Sequence, residues 1–301
     1  MDEGRKRELK EMVPAEHQMN LSDFALFLAV MKDKRAYECT LSIILEEPEL
    51  ELQEVKVEQV ILNKYGKKAI RLDAWAKGMD NRLFDMEMQN DSKSDDIRKR
   101  SRFYQALLDT PVLKSGKETR YKQLPSAVII FITQEDIWKK DLAKYTFTEQ
   151  CEEIQGLHLE DGTTKIFLNM TSKNGSKELV SLLQYLKDTR LDNPEIIIRD
   201  ERIVELDRIV TEVKESEEWE AVQMNIMEIA MERGMQKGIE KGMEKGMEKG
   251  MEKGMEKGME QGEKRLSLLN KRLLEENRMD DLRRVLEDAG YRKEMYAEYH
   301  I

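Results

Sequence analysis

Two acidic segments separated by one turn hold the residues that could do chemistry. RLDAWAKGMDNRLFDMEMQ, residues 71–89, carries Asp73 in the first segment, Asp85 and Glu87 in the second, and Gln89 two residues later. Alternating polar and apolar residues on either side of the turn-forming KGMDN predict two β-strands joined as a hairpin. In such a hairpin Asp73 lies beside or diagonal to Asp85 and Glu87, with about 5–8 Å between Cβ atoms.

Carboxylates at that separation repel one another unless a positive charge lies between them. Mg²⁺ accepts one or two carboxylates and completes its shell with water and phosphate oxygens. A metal held in this way can polarise a phosphodiester and lower the pKa of a bound water. The alternative is the wet face of an antiparallel sheet, on which the acids pair with Arg71 and Arg82. The spacing alone leaves both interpretations open.

The elements that must position these residues form a mixed α/β pattern. The predicted strands are residues 52–62, 69–76, 82–89, 126–133 and 164–170, and the predicted helices are residues 21–47, 94–109, 176–186 and 194–224. Residues 126–133 are continuously apolar, as is typical of a strand buried on both faces.

The C-terminal part of the chain contains a four-residue repeat. Residues 231–262 carry glycine at every fourth position from Gly234 to Gly262, mostly as GMEK. A four-residue repeat drifts by about 40° per unit around an α-helix, so it predicts a helical spacer and not a heptad coiled coil. Two short amphipathic helices are predicted at residues 264–277 and 279–290.

These patterns divide the chain into four segments. They are an N-terminal segment (1–20), a globular domain (21–230), the repeat spacer (231–262) and a C-terminal helical segment (263–301). The helical tail is also the predicted route to a homo-oligomer.

The charge distribution restricts where DNA could bind. The net charge of the chain is −10, so any contact with nucleic acid must be local. Lys and Arg outnumber Asp and Glu in residues 93–122. Arg98, Arg102 and Gln105 share one predicted helix face, with Tyr104 beside them, and could bind DNA phosphates. The same face could equally be an ordinary solvated surface, with its arginines paired to nearby aspartates.

Other classes of site are not supported. Cys39, Cys151 and the three histidines lack zinc-ligand spacing. The longest apolar run, residues 24–31, has eight residues, whereas a membrane-spanning helix needs about 20. We therefore expect no membrane partner and a reduced, cytoplasmic location.

Several blocks of the sequence resemble one known family. RLDAWAKGMDNRLFDMEMQ, LSDFALFLAVMKDK, RKRSRFYQALLDTPVLKSGKETRYKQLPSAVIIFIT, DGTTKIFLNM and the glycine-punctuated tail occur in order between about residues 21 and 241. Together they resemble the Rpn-type recombination-promoting nuclease and transposase family, a branch of the PD-(D/E)XK nuclease superfamily.

The resemblance implies an α/β (α+β) fold with a PD-(D/E)XK restriction-endonuclease-like core, a mixed sheet flanked by helices, followed by an extended helical tail. It implies a DNA endonuclease in which Asp73 and Glu87 bind Mg²⁺, or another divalent metal such as Mn²⁺ or Ca²⁺. Gln89 would occupy the catalytic lysine position of the superfamily, whereas Asp85 matches no motif position.

Two departures from the superfamily pattern concern the site. Leu72 replaces a proline that provides no ligand. Gln89 is neutral, so it can orient a water but cannot provide the positive charge of a lysine. A second interpretation therefore stays open: a catalytically weak or inactive nuclease-like protein that binds DNA or regulates, and that oligomerises through its tail.

Overall fold

The computed structural model describes residues 19–61, 68–90, 95–113 and 119–301. Most of the predicted N-terminal segment, residues 1–18, lies outside the described residues. So do parts of the basic segment, at residues 93–94 and 114–118.

The first compact unit, Met1–Asn225, is built on one mixed sheet. Its strands are β1 (Leu52–Ile61), β2 (Ile70–Gly78), β3 (Leu83–Gln89), β4 (Ala127–Thr133), β5 (Lys144–Phe147) and β6 (Thr163–Asn169). The strand order is β1-β2-β3-β4-β6-β5. Strands β3, β4 and β6 are parallel, and the other neighbours are antiparallel. The predicted mixed sheet is confirmed.

The predicted hairpin between β2 and β3 is also confirmed. Trp75 pairs with Asp85, and the Gly78 N–H donates to the carbonyl of Arg82 across the turn. Asn81 adopts a φ of 69°, a left-handed conformation that asparagine tolerates better than most residues. On its other side β3 pairs with β4, so the acidic segment lies in the interior of the sheet.

Helices cover both faces of this sheet. They are α1 (Phe24–Met31), α2 (Lys34–Ile44), α3 (Ile97–Asp109), α4 (Lys177–Lys187) and α5 (Glu201–Glu215), and α6 (Glu217–Glu275) begins in this unit. The larger core packs α1, α2, α4 and α5 against the face that carries Phe84, Met86 and Met88. The smaller core packs α3 against the opposite face, around Phe131.

Three local predictions were wrong. The predicted helix 21–47 is two helices, because Asp33 is extended and its side chain caps α2 by accepting the Ala36 N–H (2.9 Å). Residues 194–200 are not helical. Strand β5 was missed because it has four residues and only Tyr145 of them is buried, which is too short for periodicity to reveal.

The second compact unit, Ile226–Ile301, is helical. The repeat forms part of α6, and α7 (Met279–Glu287) and α8 (Ala289–Glu298) follow. The end of α6 packs with α7 and α8 around Leu269, Leu273, Val285 and Met295. The predicted helix 264–277 is therefore the end of α6, and α8 was not predicted. Within the repeat, every methionine from Met243 to Met259 is at least 64% exposed.

Candidate active site

The three acidic side chains of the hairpin are buried. Asp73 is 6% exposed, Asp85 0% and Glu87 1%. The wet-face interpretation is therefore wrong: Arg71 pairs with Glu58, and Arg82 pairs with Glu47 and Asp80. Carboxylates are very rarely buried without a compensating partner or metal.

The two strands separate where the carboxylates meet. Pairing between β2 and β3 ends at Ala74, and the next N–H of β2, that of Asp73, donates to Glu87 Oε1 (2.8 Å). In return, the Met88 N–H donates to Asp73 Oδ2 (3.2 Å). Two side-chain contacts thus replace the ladder hydrogen bonds and fix Asp73 beside Glu87, as the hairpin predicted.

The face that β2 presents changes at the same point. Ile70 and Leu72 lie in the smaller core, whereas Ala74 lies in the larger one. Alternate residues of a regular strand share a face, so the regular alternation of β2 is interrupted between Leu72 and Ala74. The neighbouring strand is irregular at the matching position, where Glu58 has a φ of 51°.

Arg100, on α3, is the cation of the site, and the sequence analysis missed it. Its Nη2 donates to Glu87 Oε2 (2.6 Å) and its Nη1 donates to Gln89 Oε1 (2.8 Å). The helix pattern contained the signal: Ile97 and Tyr104 lie on the buried side of α3, and Arg100 stands between them at helical spacing. A charged residue on a buried helix face is a candidate for a functional site.

Aromatic rings hold Arg100 in place. Its guanidinium carbon lies 4.8 Å from the ring centroid of Tyr104 and 5.6 Å from that of Phe131, distances at which a cation is attracted to the ring face. On the larger-core face of the sheet, the buried Tyr37 hydroxyl donates to the carbonyl of Ala74 (2.8 Å). The point where β2 changes face is therefore supported from α2 as well.

Burial dominates the protonation of the three acids. It raises the pKa of Asp73 to about 6, although Arg100 acts in the opposite direction. Burial, with Asp73 adding to it, raises the pKa of Glu87 to about 8. The pKa of Asp85 is raised well above its ordinary value, first by burial and then by the charges of Glu87 and Asp73. At neutral pH the site therefore favours added protons or an added cation.

The donor set fits a hard divalent cation. Among the residues that the structure describes, the three carboxylates have one direct ion pair, that of Glu87 with Arg100, so negative charge is in excess when all three are ionised. Both oxygens of Asp85 are buried and accept no hydrogen bond from an N–H group. Its carboxyl can hydrogen-bond to that of Glu87 only when one of the two is protonated, so the arrangement costs free energy unless a proton or a cation is present. Among the described residues, no three His, Cys, Asp or Glu side chains already converge as a metal-binding group. Water and phosphate would therefore complete the shell, as Mg²⁺ prefers.

The predicted DNA-binding residues separate into two groups. Arg98 and Arg102 are exposed, and Arg98 pairs with Asp96 (3.0 Å). Tyr104 and Gln105 are buried, because they face the sheet, and Gln105 donates to Asp109. The four side chains therefore do not form the predicted DNA-binding surface, and only Arg98 and Arg102 are available to contact DNA.

Comparison with known proteins identifies the family of the chain. The model of the PD-(D/E)XK nuclease family transposases matches residues 23–240, which includes the sheet and all of the buried carboxylates. The chain belongs to this family. Searches of curated proteins and of solved structures give no match.

Membership in the PD-(D/E)XK family agrees with the fold. The six-stranded mixed sheet with helices on both faces is consistent with the PD-(D/E)XK α/β fold, so the fold prediction is confirmed. The family relates the protein to nucleases and transposases, whereas the narrower Rpn assignment stays a prediction. In the described part of the chain, no helix is both long and apolar enough to cross a bilayer.

Proposed function

We propose that this protein is a metal-dependent endodeoxyribonuclease that hydrolyses DNA phosphodiester bonds in recombination or transposition. The observation that carries the proposal is the contact between Asp73 and Glu87, both buried, beside the fully buried carboxyl of Asp85. Membership in a nuclease family supports it. We place the protein in the cytoplasm, where its DNA substrate lies.

In this proposal Asp73 and Glu87 hold Mg²⁺, and Mn²⁺ or Ca²⁺ could occupy the same oxygen ligands. When bound, the metal would polarise the phosphodiester and lower the pKa of a water. Asp85 would strengthen the attraction for a cation by giving up its proton when the metal binds, because its buried carboxylate then needs a positive charge nearby. Gln89 orients the attacking water through its amide, whose oxygen accepts from Arg100.

Arg98 and Arg102 are the proposed phosphate contacts outside the reacting centre. Both are exposed on α3, the helix that also carries Arg100. Such contacts hold the DNA without reading its sequence and weaken as salt is added.

Nicking of supercoiled plasmid by the purified full-length protein tests this function. We expect open-circular product with Mg²⁺, no product with excess EDTA, and recovery when Mg²⁺ is restored above the chelator. Reading the assay at two salt concentrations separates weak DNA binding from weak chemistry. Nicking that persists unchanged in EDTA would contradict the proposal.

A second function is favoured by two observations. The neutral Gln89 stands at the lysine position of the superfamily, and the methionines of α6 from Met243 to Met259 are exposed. Both observations favour a nuclease-like protein that does not cleave DNA. Such a protein would act as a DNA-binding or regulatory protein and form a homo-oligomer through the tail. In the same assay, this function predicts DNA retention on a gel without metal-dependent product.

A further inference from the structure

Arg100 lies between the buried carboxylates and the solvent. Its side chain is 25% exposed, whereas that of its partner Glu87 is 1% exposed. A cavity of about 810 Å³ on this side of the sheet is lined by residues such as Trp75, Leu83 and Leu108 and by none of the three carboxylates. Because Glu87 is almost fully buried and Arg100 contacts it, a phosphodiester reaches Glu87 only if a neighbouring side chain moves.

The contacts of Arg100 conflict with a metal on Glu87. Oε1 of Glu87 already accepts the Asp73 N–H, and Oε2 accepts Arg100 Nη2 at 2.6 Å. A divalent ion bound to this carboxylate would lie close to the guanidinium, and like charges repel strongly where water is excluded. Metal binding and the Arg100–Glu87 ion pair therefore compete.

The guanidinium has other partners that would keep it at the site. The rings of Tyr104 and Phe131 lie under it, and Gln89 accepts from Nη1. These contacts would hold the guanidinium at the mouth of the site after Glu87 is released. A planar guanidinium also matches two oxygens of a phosphate.

We propose that Arg100 is an exchangeable counter-ion of the catalytic site. It donates a hydrogen bond to Glu87 in the metal-free protein, yields Glu87 to the divalent ion, and then pairs with the phosphate of the bound DNA. The positive charge that Gln89 cannot provide is thereby supplied from α3. This inference rests on the proposed function, because the phosphate contact has a role only if the site cleaves DNA.

Two readouts on the full-length protein test it: Mn²⁺ affinity by calorimetry and plasmid nicking in Mg²⁺. We expect Arg100→Met to bind Mn²⁺ about tenfold more tightly, because a neighbouring positive charge is removed. We expect the same variant to nick plasmid about a hundredfold more slowly, because a charge that stabilises the transition state is lost. Arg208→Met is the matched control, because Arg208 is an exposed helix arginine that pairs with Glu205 on α5. Both of its values should stay within about twofold of wild type.

Tighter Mn²⁺ binding together with slower nicking distinguishes a counter-ion from a residue that only stabilises the fold. Weaker Mn²⁺ binding by Arg100→Met would overturn the proposal, as would nicking at the wild-type rate. If Arg100→Met does not fold by circular dichroism, Arg100→Lys replaces it. Lysine keeps the charge but contacts only one of the two acceptors, so we expect near-wild-type Mn²⁺ affinity with nicking reduced about tenfold; nicking at the wild-type rate, or clearly weaker Mn²⁺ binding, overturns the proposal.

If the proposed nuclease function is wrong, the wild-type protein itself fails in the nicking assay, which differs from a failure of the Arg100 proposal. A wild-type protein that binds Mn²⁺ but leaves plasmid intact would overturn the nuclease function and the phosphate contact with it. The counter-ion role would then be decided by the Mn²⁺ affinities of Arg100→Met and wild type alone, where equal or weaker binding by the variant rejects it.

Discussion

Asp73→Asn and Glu87→Gln should each lower Mg²⁺-dependent plasmid nicking by about a thousandfold. Either change removes one anionic ligand while keeping the size of the side chain, and the Lewis acidity lost with the metal contributes several kcal/mol. That loss corresponds to a rate factor of about 10³. Initial rates of open-circle formation, measured with each protein at equal concentration, provide the comparison.

A matched substitution on the adjacent strand controls for general effects of charge. Glu54 is an exposed residue of β1 that pairs with Lys56, so Glu54→Gln should nick at the wild-type rate. All four proteins are purified separately by one protocol. Equal rates in wild type and in both site variants would indicate a contaminating nuclease and contradict the assignment of Asp73 and Glu87.

The metal-free protein should lose stability as pH rises from about 4 to about 8. Burial raises the folded-state pKa of Asp73 to about 6 and that of Glu87 to about 8. A carboxyl whose pKa is raised by folding stabilises the folded state below its unfolded pKa, near 4. That contribution disappears as pH rises through the folded pKa. For Glu87, whose pKa rises from 4.5 to about 8 on folding, the loss is on the order of 5 kcal/mol.

Urea unfolding in EDTA at several pH values measures this loss, with Glu87→Gln as the comparison. The variant carries no titrating group at residue 87, so its free energy of unfolding should decline less between pH 5 and pH 8.5. Mg²⁺ should recover part of the stability of the wild type at pH 8.5, by roughly 3 kcal/mol at a hundred times its dissociation constant. Parallel pH profiles for the two proteins would show that residue 87 does not titrate as described.

The acidic hairpin could be predicted from sequence because the residues that determine it, two alternating strands and the turn between them, are close together in the chain. Alternation fixed the strands around Asp85 and Glu87, and the turn residues between them fixed the pairing with Asp73. The partner of the acids could not be found in this way. Whether the acidic side chains are exposed to solvent or buried depends on β4 and α3. These elements contribute Phe131 and Arg100 from distant parts of the chain.

The sequence did not predict which polar residues are buried by packing against the sheet. Tyr104 and Gln105 share a polar-looking stretch of helix with Arg102, but the side of α3 that meets the sheet includes both. Asp85 matches no family motif position, yet it is the most buried of the three acids. For such residues, sequence spacing shows which side chains can lie together, and only the assembled sheet shows which of them lose contact with water.

Titration of the metal-free protein with Mg²⁺ by isothermal calorimetry tests the central claim most directly. Burial raises the pKa of Glu87 to about 8 and that of Asp85 well above its ordinary value. Metal binding at neutral pH should therefore release protons, and the observed heat should depend on the ionisation enthalpy of the buffer. We predict one Mg²⁺ per chain, proton release at pH 7, and at least about tenfold weaker binding by Asp73→Asn. No binding by the wild type, or equal binding by wild type and Asp73→Asn, would contradict a metal site at Asp73 and Glu87.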